Sequence, residues 1–460
     1  MRNKFFHFYF AIGGIILIFY FLFNINSLTI YTKEYYFLCG GLTIALILYS
    51  YVMHHSKKID FFHPYHVFFV FYICIFFITP LILINEQRTT CVGKDIMGGC
   101  IPGTIFTILA LFSYSIGYVH TKNKNNHLKA LSISKANPKR ILLHTYLLLS
   151  ILLVISLAII ASSGKSLSYI LTLGQGTYKV QEQNILSTAG FLNNLLFCLL
   201  VPWFILCIYE KKKWILFFFT YLILAIYFSF GFRFITYIMI IGFSIIYFRK
   251  RNKTPSIKYI IIMICSLLMF SVILGNVRDS MRVGEKQNFN GFNESNIAYT
   301  LESNFNIYQT YYGVIDKYFH DTSDEFHFYY GRITIIDPIS IWIPRLLWPE
   351  KPTTAPLGES MAKCISPDVI YKVMMSSPNL TEYYLDFGII GIIFFSYLIG
   401  FISKKMLSFY NSDSVLKIIF YSLYCGFMIQ VINRGYTAML GTLFVFLIIP
   451  LFTYKKYFKQ

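Results

Sequence analysis

Charge is scarce in this chain of 460 residues: 13% are Asp, Glu, Lys or Arg, against 56% hydrophobic residues. Soluble domains carry about a quarter charged residues. A polar coat able to cover a globule is therefore excluded, and lipid must be the solvent for much of the surface. Acidic residues are scarcer still, 21 against 40 Lys and Arg, which leaves a formal charge of +19. The sequence has no glycine-rich phosphate loop, no GxSxG elbow, no HExxH pair and no Asp-x-Asp that would hold a metal-bound nucleotide sugar. These absences argue against a cytoplasmic enzyme working on nucleotides. The nine cysteines lack metal-ligand spacing. Cys39, Cys74, Cys198, Cys207, Cys265 and Cys425 sit in apolar runs, where Cys is a small hydrophobe. Cys91 and Cys100 bracket a short polar loop, which leaves a disulfide and two free thiols both open.

What the chain does have is apolar runs, and many of them. A hydrocarbon core takes about 20 helical residues to cross. Twelve such runs are expected, at 5–23, 35–53, 67–84, 105–119, 141–161, 191–208, 214–230, 234–248, 259–274, 387–402, 415–432 and 436–452. The first follows Arg2 and Lys4 and has the look of a signal peptide. No small-residue cleavage site follows it, and similar runs recur to the C-terminus, so it is taken as a span.

The basic residues are distributed by side. With the N-terminus in the cytoplasm, alternate segments carry Lys57 and Lys58, the cluster from Lys122 to Arg140, Lys211 to Lys213, Arg249 to Lys258, Lys404 and Lys405, and Lys455, Lys456 and Lys459. The opposite short loops hold few cations. That is the positive-inside pattern of a multi-pass membrane protein with both termini cytoplasmic. It accounts for the basic excess without nucleic acid. Residues 1–274 then hold nine spans, 275–386 form a large periplasmic loop, and 387–460 hold three spans. The loop has more acidic than basic residues, and its stretch "YYGRITIIDPISIWIPRLLWPEKPTTAPLGES" mixes aromatics, prolines and charges as interfacial helices do.

Arginines on the expected outer side are the candidate chemistry. Arg233 lies at the tip of a hairpin in "SFGFRF", and Arg434 lies in the turn "INRGYT". Arg345 stands in "IPRLLWPEKP", with Lys351 close by. Arg278 and Arg282 are four apart and would share a helix face. Arginine binds phosphate oxygens through a planar fork and stays charged, so this set suits a lipid diphosphate. The competing account is that outer-loop arginines snorkel, or pair with Asp279, Glu382 or Asp386. Glu382 stands where the loop re-enters the membrane and is the candidate general base, with a plain helix N-terminal acid as the alternative. His320 and His327 are outer-loop histidines. The tyrosines of "IYQTYYG" and "FHFYYG" would stack on sugars or form an interfacial belt.

Four segments in order carry a family resemblance: the Gly-x-Arg turn "GFRF", the long loop with "IPRLLWPEKP", then "SPNLTEYYLDFGIIG", then the Arg-Gly turn "NRGYT". Together they resemble the Wzy-type oligosaccharide repeat-unit polymerases of O-antigen and related polysaccharides. The resemblance covers about residues 230–441, and the first half matches in hydropathy alone. Phe232 departs from it, since relatives often carry Ser or Thr there. The resemblance implies an all-α polytopic membrane protein of about 12 transmembrane helices with one large periplasmic loop, like the C-type lipid-linked glycosyltransferases. It implies a metal-independent glycosyltransferase without cofactor, acting on undecaprenyl-diphosphate-linked oligosaccharide in membrane lipid, with a chain-length regulator as a further partner. Catalytic roles fall on Arg233, Arg345, Arg434 and Glu382, and diphosphate binding on Arg278, Arg282 and Lys351. The alternatives are an O-antigen ligase, to which His320 or His327 would be essential, and a lipid-linked oligosaccharide flippase.

Overall fold

A computed structural model describes residues 13–16, 18–23, 30–55, 62–91, 93–121, 129–131, 137–162, 195–229, 234–253, 255–256, 258–260, 262, 266, 307–320, 327–340, 343, 347–350, 377–436 and 449–458. The chain is an all-α polytopic membrane protein. Among the described residues six helices are long and apolar enough to cross a membrane: α1 (Thr32–His55), α2 (Pro64–Asn85), α3 (Cys100–His120), α4 (Pro138–Ser162), α9 (Asn379–Tyr410) and α10 (Val415–Arg434). Shorter apolar helices are α5 (Leu200–Tyr209), entered through a 3-10 turn at Leu195–Leu199, α6 (Lys213–Ser229) and α7 (Phe234–Lys250). A further helix, α8 (Ile307–His320), belongs to the long segment between α7 and α9. The expected spans at 259–274 and 436–452 lie largely outside the described residues.

Local chemistry explains the helices. Pro64 and Pro138 stand at first-turn positions, where a missing N–H costs nothing. The Asn137 side chain accepts the Lys139 and Arg140 amides at 3.2 and 3.4 Å and so caps α4. Inside the apolar helices hydroxyls turn back on their own backbone. Thr104 donates to the Cys100 carbonyl at 2.7 Å, Ser115 to Leu111 at 2.7 Å and Ser156 to Leu152 at 2.6 Å. In lipid every polar group must be satisfied internally. Apolar side chains left exposed line the outside of the bundle, as Leu143, Leu147, Ile151 and Val154 do along α4. Their spacing of three to four residues is one helix face.

The body has two main packing groups. One joins α1, α2, α3, α8 and α9, and the other joins α4 to α7 with α10. Helices α3 and α9 of the first group approach each other closely. Gly117 lies on the Tyr397 carbonyl and Gly400 lies on the Tyr114 carbonyl, each so close that a Cβ would clash. Reciprocal small residues let two backbones approach in a membrane, where oil-on-oil contact alone gives little drive for association.

Polar links tie loops together at the two ends of this bundle. At one end the buried Arg249 donates to the carbonyls of Lys129 and Ser412, both at 2.9 Å, and the Lys129 amide donates to the Asn411 carbonyl at 3.1 Å. At the other end α8 lies on the start of α3. Gly99 abuts the Tyr312 carbonyl, and the Tyr311 hydroxyl donates to the Gly103 carbonyl at 3.1 Å. The long segment therefore packs on the helical body through α8.

One open question is answered and one expected boundary moves. Cys91 and Cys100 are free and buried, although they flank a two-stranded turn pairing Thr90 with Asp95 and Cys91 with Lys94. Burial pushes the Cys91 thiol up to about 11, which keeps it protonated and unreactive at neutral pH. The tenth apolar run does not begin its helix at 387. Helix α9 starts eight residues earlier, at Asn379, and kinks at Phe387 and Gly388, whose φ is +60°.

Candidate functional site

The early half of α9 is unusual for an apolar bundle. Every residue from Asn379 to Asp386 is buried, and four of the eight are polar: Asn379, Thr381, Glu382 and Asp386. These residues read as a hydrophilic loop end in the sequence. They form helix because partners inside the protein receive the polar groups of three of them, Asn379, Glu382 and Asp386. The Asn379 side-chain amide and the Tyr72 hydroxyl of α2 bond each other, at 2.8 and 3.1 Å.

Glu382 is 1% exposed. Its Oε2 accepts the backbone N–H of Tyr436 at 2.6 Å. Its Oε1 lies against Gly435, so closely that no Cβ fits there. Gly435 has a φ of +86°, in the region that disfavours side chains, and it ends α10 just after Arg434. The carboxylate thus clasps the turn that carries Arg434. Two sequence candidates more than 50 residues apart are brought to one place, with Arg434 exposed at the end of α10 and Glu382 buried behind its turn.

Asp386 is fully buried one helical turn further on. Its Oδ1 accepts the Ile333 N–H at 3.1 Å, and its Oδ2 accepts the Thr334 N–H and hydroxyl, both at 2.6 Å. Around this bond the Tyr329 and Tyr330 amides donate to the carbonyls of Leu385 and Asp386 at 3.0 Å. These carbonyls are left without helical partners by the kink, so the segment 329–334 caps the first half of α9. The sequence pairs Asp386 with an outer arginine as one alternative; in the structure it holds main chain. The π-turn at Arg332–Ile336 leads to a short helix at Asp337–Ser340.

The remaining candidates are placed unevenly. Arg233, Arg278, Arg282, Arg345 and Lys351 lie outside the described residues. His320 is the last residue of α8. The His327 ring lies 5.2 Å from that of Tyr329, and its carbonyl accepts the Tyr318 hydroxyl at 3.2 Å. The tyrosines of "IYQTYYG" divide from those of "FHFYYG". Tyr308, Tyr311 and Tyr312 are fully buried against α2 and α3, whereas Tyr330 is exposed. The first set is packing. Among the described residues no three His, Cys, Asp or Glu side chains group as a metal site.

Sequence reasoning passed over Arg332 and the role of Asp386. The available signal was local: "YYGRIT" has a glycine before an arginine, as "GFRF" does one residue further apart, and "LDFG" ends a polar helical turn in a helix-breaking glycine. No curated protein and no solved structure matches the chain. One family model does match, that of the O-antigen polysaccharide polymerase Wzy, and it covers residues 8–460.

Proposed function

The chain belongs to the O-antigen polysaccharide polymerase Wzy family, and from that premise we propose that it joins undecaprenyl-diphosphate-linked oligosaccharide units on the periplasmic face of the bacterial inner membrane. The acceptor would be the terminal sugar hydroxyl of a new lipid-linked unit. Its oxygen attacks the anomeric carbon of the growing chain, the bond from that carbon to the diphosphate oxygen breaks, and undecaprenyl diphosphate leaves. The hydroxyl proton passes to a base or to water.

Leaving-group charge is the main barrier that protein can lower here, and clustered arginines lower it without a metal. Arg434 is proposed for this role together with Arg233 and Arg345, with Arg278, Arg282 and Lys351 as further diphosphate contacts. Holding two lipid-anchored substrates at one membrane depth supplies proximity. We keep the twelve-span topology, with both termini cytoplasmic and 275–386 largely periplasmic, as part of this proposal. The grouping of loops at two ends supports it. Arg249 joins loops that carry the basic clusters, and Glu382 gathers segments that do not.

The observation that carries the site is the Glu382 clasp on the Arg434 turn. It gives Glu382 a positioning task, which competes with its reading as general base. The lipopolysaccharide of a deletion strain tests the function. One repeat unit on core is the expected result. Bare core with polymer left on its carrier would make the protein a ligase, and bare core with units trapped inside would make it a flippase.

A further inference from the structure

Glu382 and Asp386 lie four residues apart, so they stand one above the other on successive turns of α9. Each carboxylate takes a backbone N–H from a different segment of the chain: Glu382 from Tyr436, and Asp386 from Ile333 and Thr334. Each of those segments passes through a glycine of positive φ, Gly435 at +86° and Gly331 at +89°. Each also carries an arginine beside that glycine, Arg434 just before Gly435 and Arg332 just after Gly331. The same construction is therefore made twice on one helix. Both oxygens of Asp386 are taken by the Ile333–Thr334 main chain and the Thr334 hydroxyl. Arg332 is half-buried and forms no ion pair with a carboxylate among the described residues.

The depth of Arg332 follows from its neighbours. Ile335, Ile336 and Ile339 are 49%, 48% and 60% exposed, as apolar residues that rest on a membrane interface would be. Tyr330, two residues before Arg332, is exposed, and tyrosine favours the headgroup layer. Arg332 stands between Tyr330 and these isoleucines in the chain, a position that suits the headgroup layer.

We propose that Arg332 is a second structurally anchored cation of the diphosphate site, acting with Arg434 on the same lipid-linked substrate, and that Asp386 positions it. This rests on the polymerase reading above and adds residues to it. A guanidinium on each of two adjacent anchored segments would grip a two-phosphate group from two directions. A flexible loop arginine would lose more entropy in doing so.

The test uses full-length protein in proteoliposomes, with lipid-linked repeat unit extracted from a polymerase-deletion strain as the substrate. Wild type, Arg332→Ala, Arg332→Lys and Asp386→Asn are compared for kcat/KM, KM and melting temperature. Arg332→Ala is expected to lose about 30-fold or more in kcat/KM, with an unchanged melting temperature. Arg332→Lys should recover part of that loss, since the charge returns without the fork. Asp386→Asn should raise KM more than it lowers kcat, because the amide nitrogen cannot accept the Thr334 bonds and the arginine loses its register. Arg332→Ala within about 3-fold of wild type would overturn the assignment; so would a loss in both arginine variants that merely tracks a fall in melting temperature. If wild type itself made no polymer from this substrate, the polymerase reading would fail instead, and Arg332 would lose its assigned ligand with it.

Discussion

Arg249 and Arg434 stand at opposite ends of α10 and are built in opposite ways. Arg249 is 1% exposed, its guanidinium donates to the carbonyls of Lys129 and Ser412, and it lies 5.3 Å from the Tyr410 ring. Arg434 is exposed, and the turn that follows it is bonded through Glu382. The 20 residues of α10 separate the two ends by roughly 30 Å at 1.5 Å per residue. At one end the protein uses the arginine itself as a tie between loops. At the other it fixes the backbone and presents the side chain. A buried guanidinium bonded to carbonyls is spent on structure, whereas the role proposed for Arg434 asks that its turn be fixed and its side chain reach the surface.

Paired alanine substitutions should break this comparison open. Arg434→Ala is expected to leave a normally inserted protein that makes one-unit lipopolysaccharide. Losing one charge-assisted contact to the leaving diphosphate should cost roughly 2–4 kcal/mol in the transition state, about 30-fold to 1000-fold in rate. Arg249→Ala should do the reverse. It strands two carbonyls at a loop junction, at about 1–3 kcal/mol of stability, so membrane protein level falls while the polymer made per molecule holds. Immunoblots and chain-length ladders at matched expression read both. A wild-type ladder from Arg434→Ala would remove that arginine from the site and leave a snorkelling side chain.

A smaller effect, on the same turn, separates backbone from side chain. Gly435→Ala keeps Arg434 but puts a Cβ at a φ of +86° and against Glu382 Oε1. Strain of this kind costs of order 1–3 kcal/mol. The expected outcome is a ladder shortened by about 5-fold to 100-fold in polymerisation rate, with protein still in the membrane. Full activity would show that the geometry of the turn is irrelevant to Arg434.

The hydropathy of the sequence was enough to find α1 to α4, α10 and the short pair α6 and α7, because an apolar run of span length has few alternatives in lipid. The start of α9 was not legible. Asn379, Thr381, Glu382 and Asp386 are the residues of a solvated loop until Tyr72, Tyr436 and Thr334 are known to receive three of them, and those partners lie up to 307 residues away. Arg249 counts as one of the charges of the basic clusters, but nothing in a charge count shows that it is buried. Arg434 and Glu382 were both visible as candidates. The bond from Glu382 to the turn after Arg434 was not, since it depends on how α9 and α10 meet. Arg332 was hidden in a stretch whose aromatics and prolines drew attention to its interfacial character.

The smallest expected effect decides what Glu382 does. A clasp needs an oxygen that accepts the Tyr436 N–H, and glutamine has one; a general base needs a carboxylate, and glutamine has none. Glu382→Gln should therefore keep the turn. Exchanging a charged acceptor for a neutral one weakens a hydrogen bond by about 1 kcal/mol, so polymerisation should fall only about 5-fold. Glu382→Ala removes the acceptor and opens space behind Gly435, and should approach the loss seen in Gly435→Ala. If the glutamine variant is instead as inactive as Arg434→Ala at equal protein level, the carboxylate takes the acceptor's proton. Glu382 then belongs to the chemistry, and the clasp is the means by which that base is aimed.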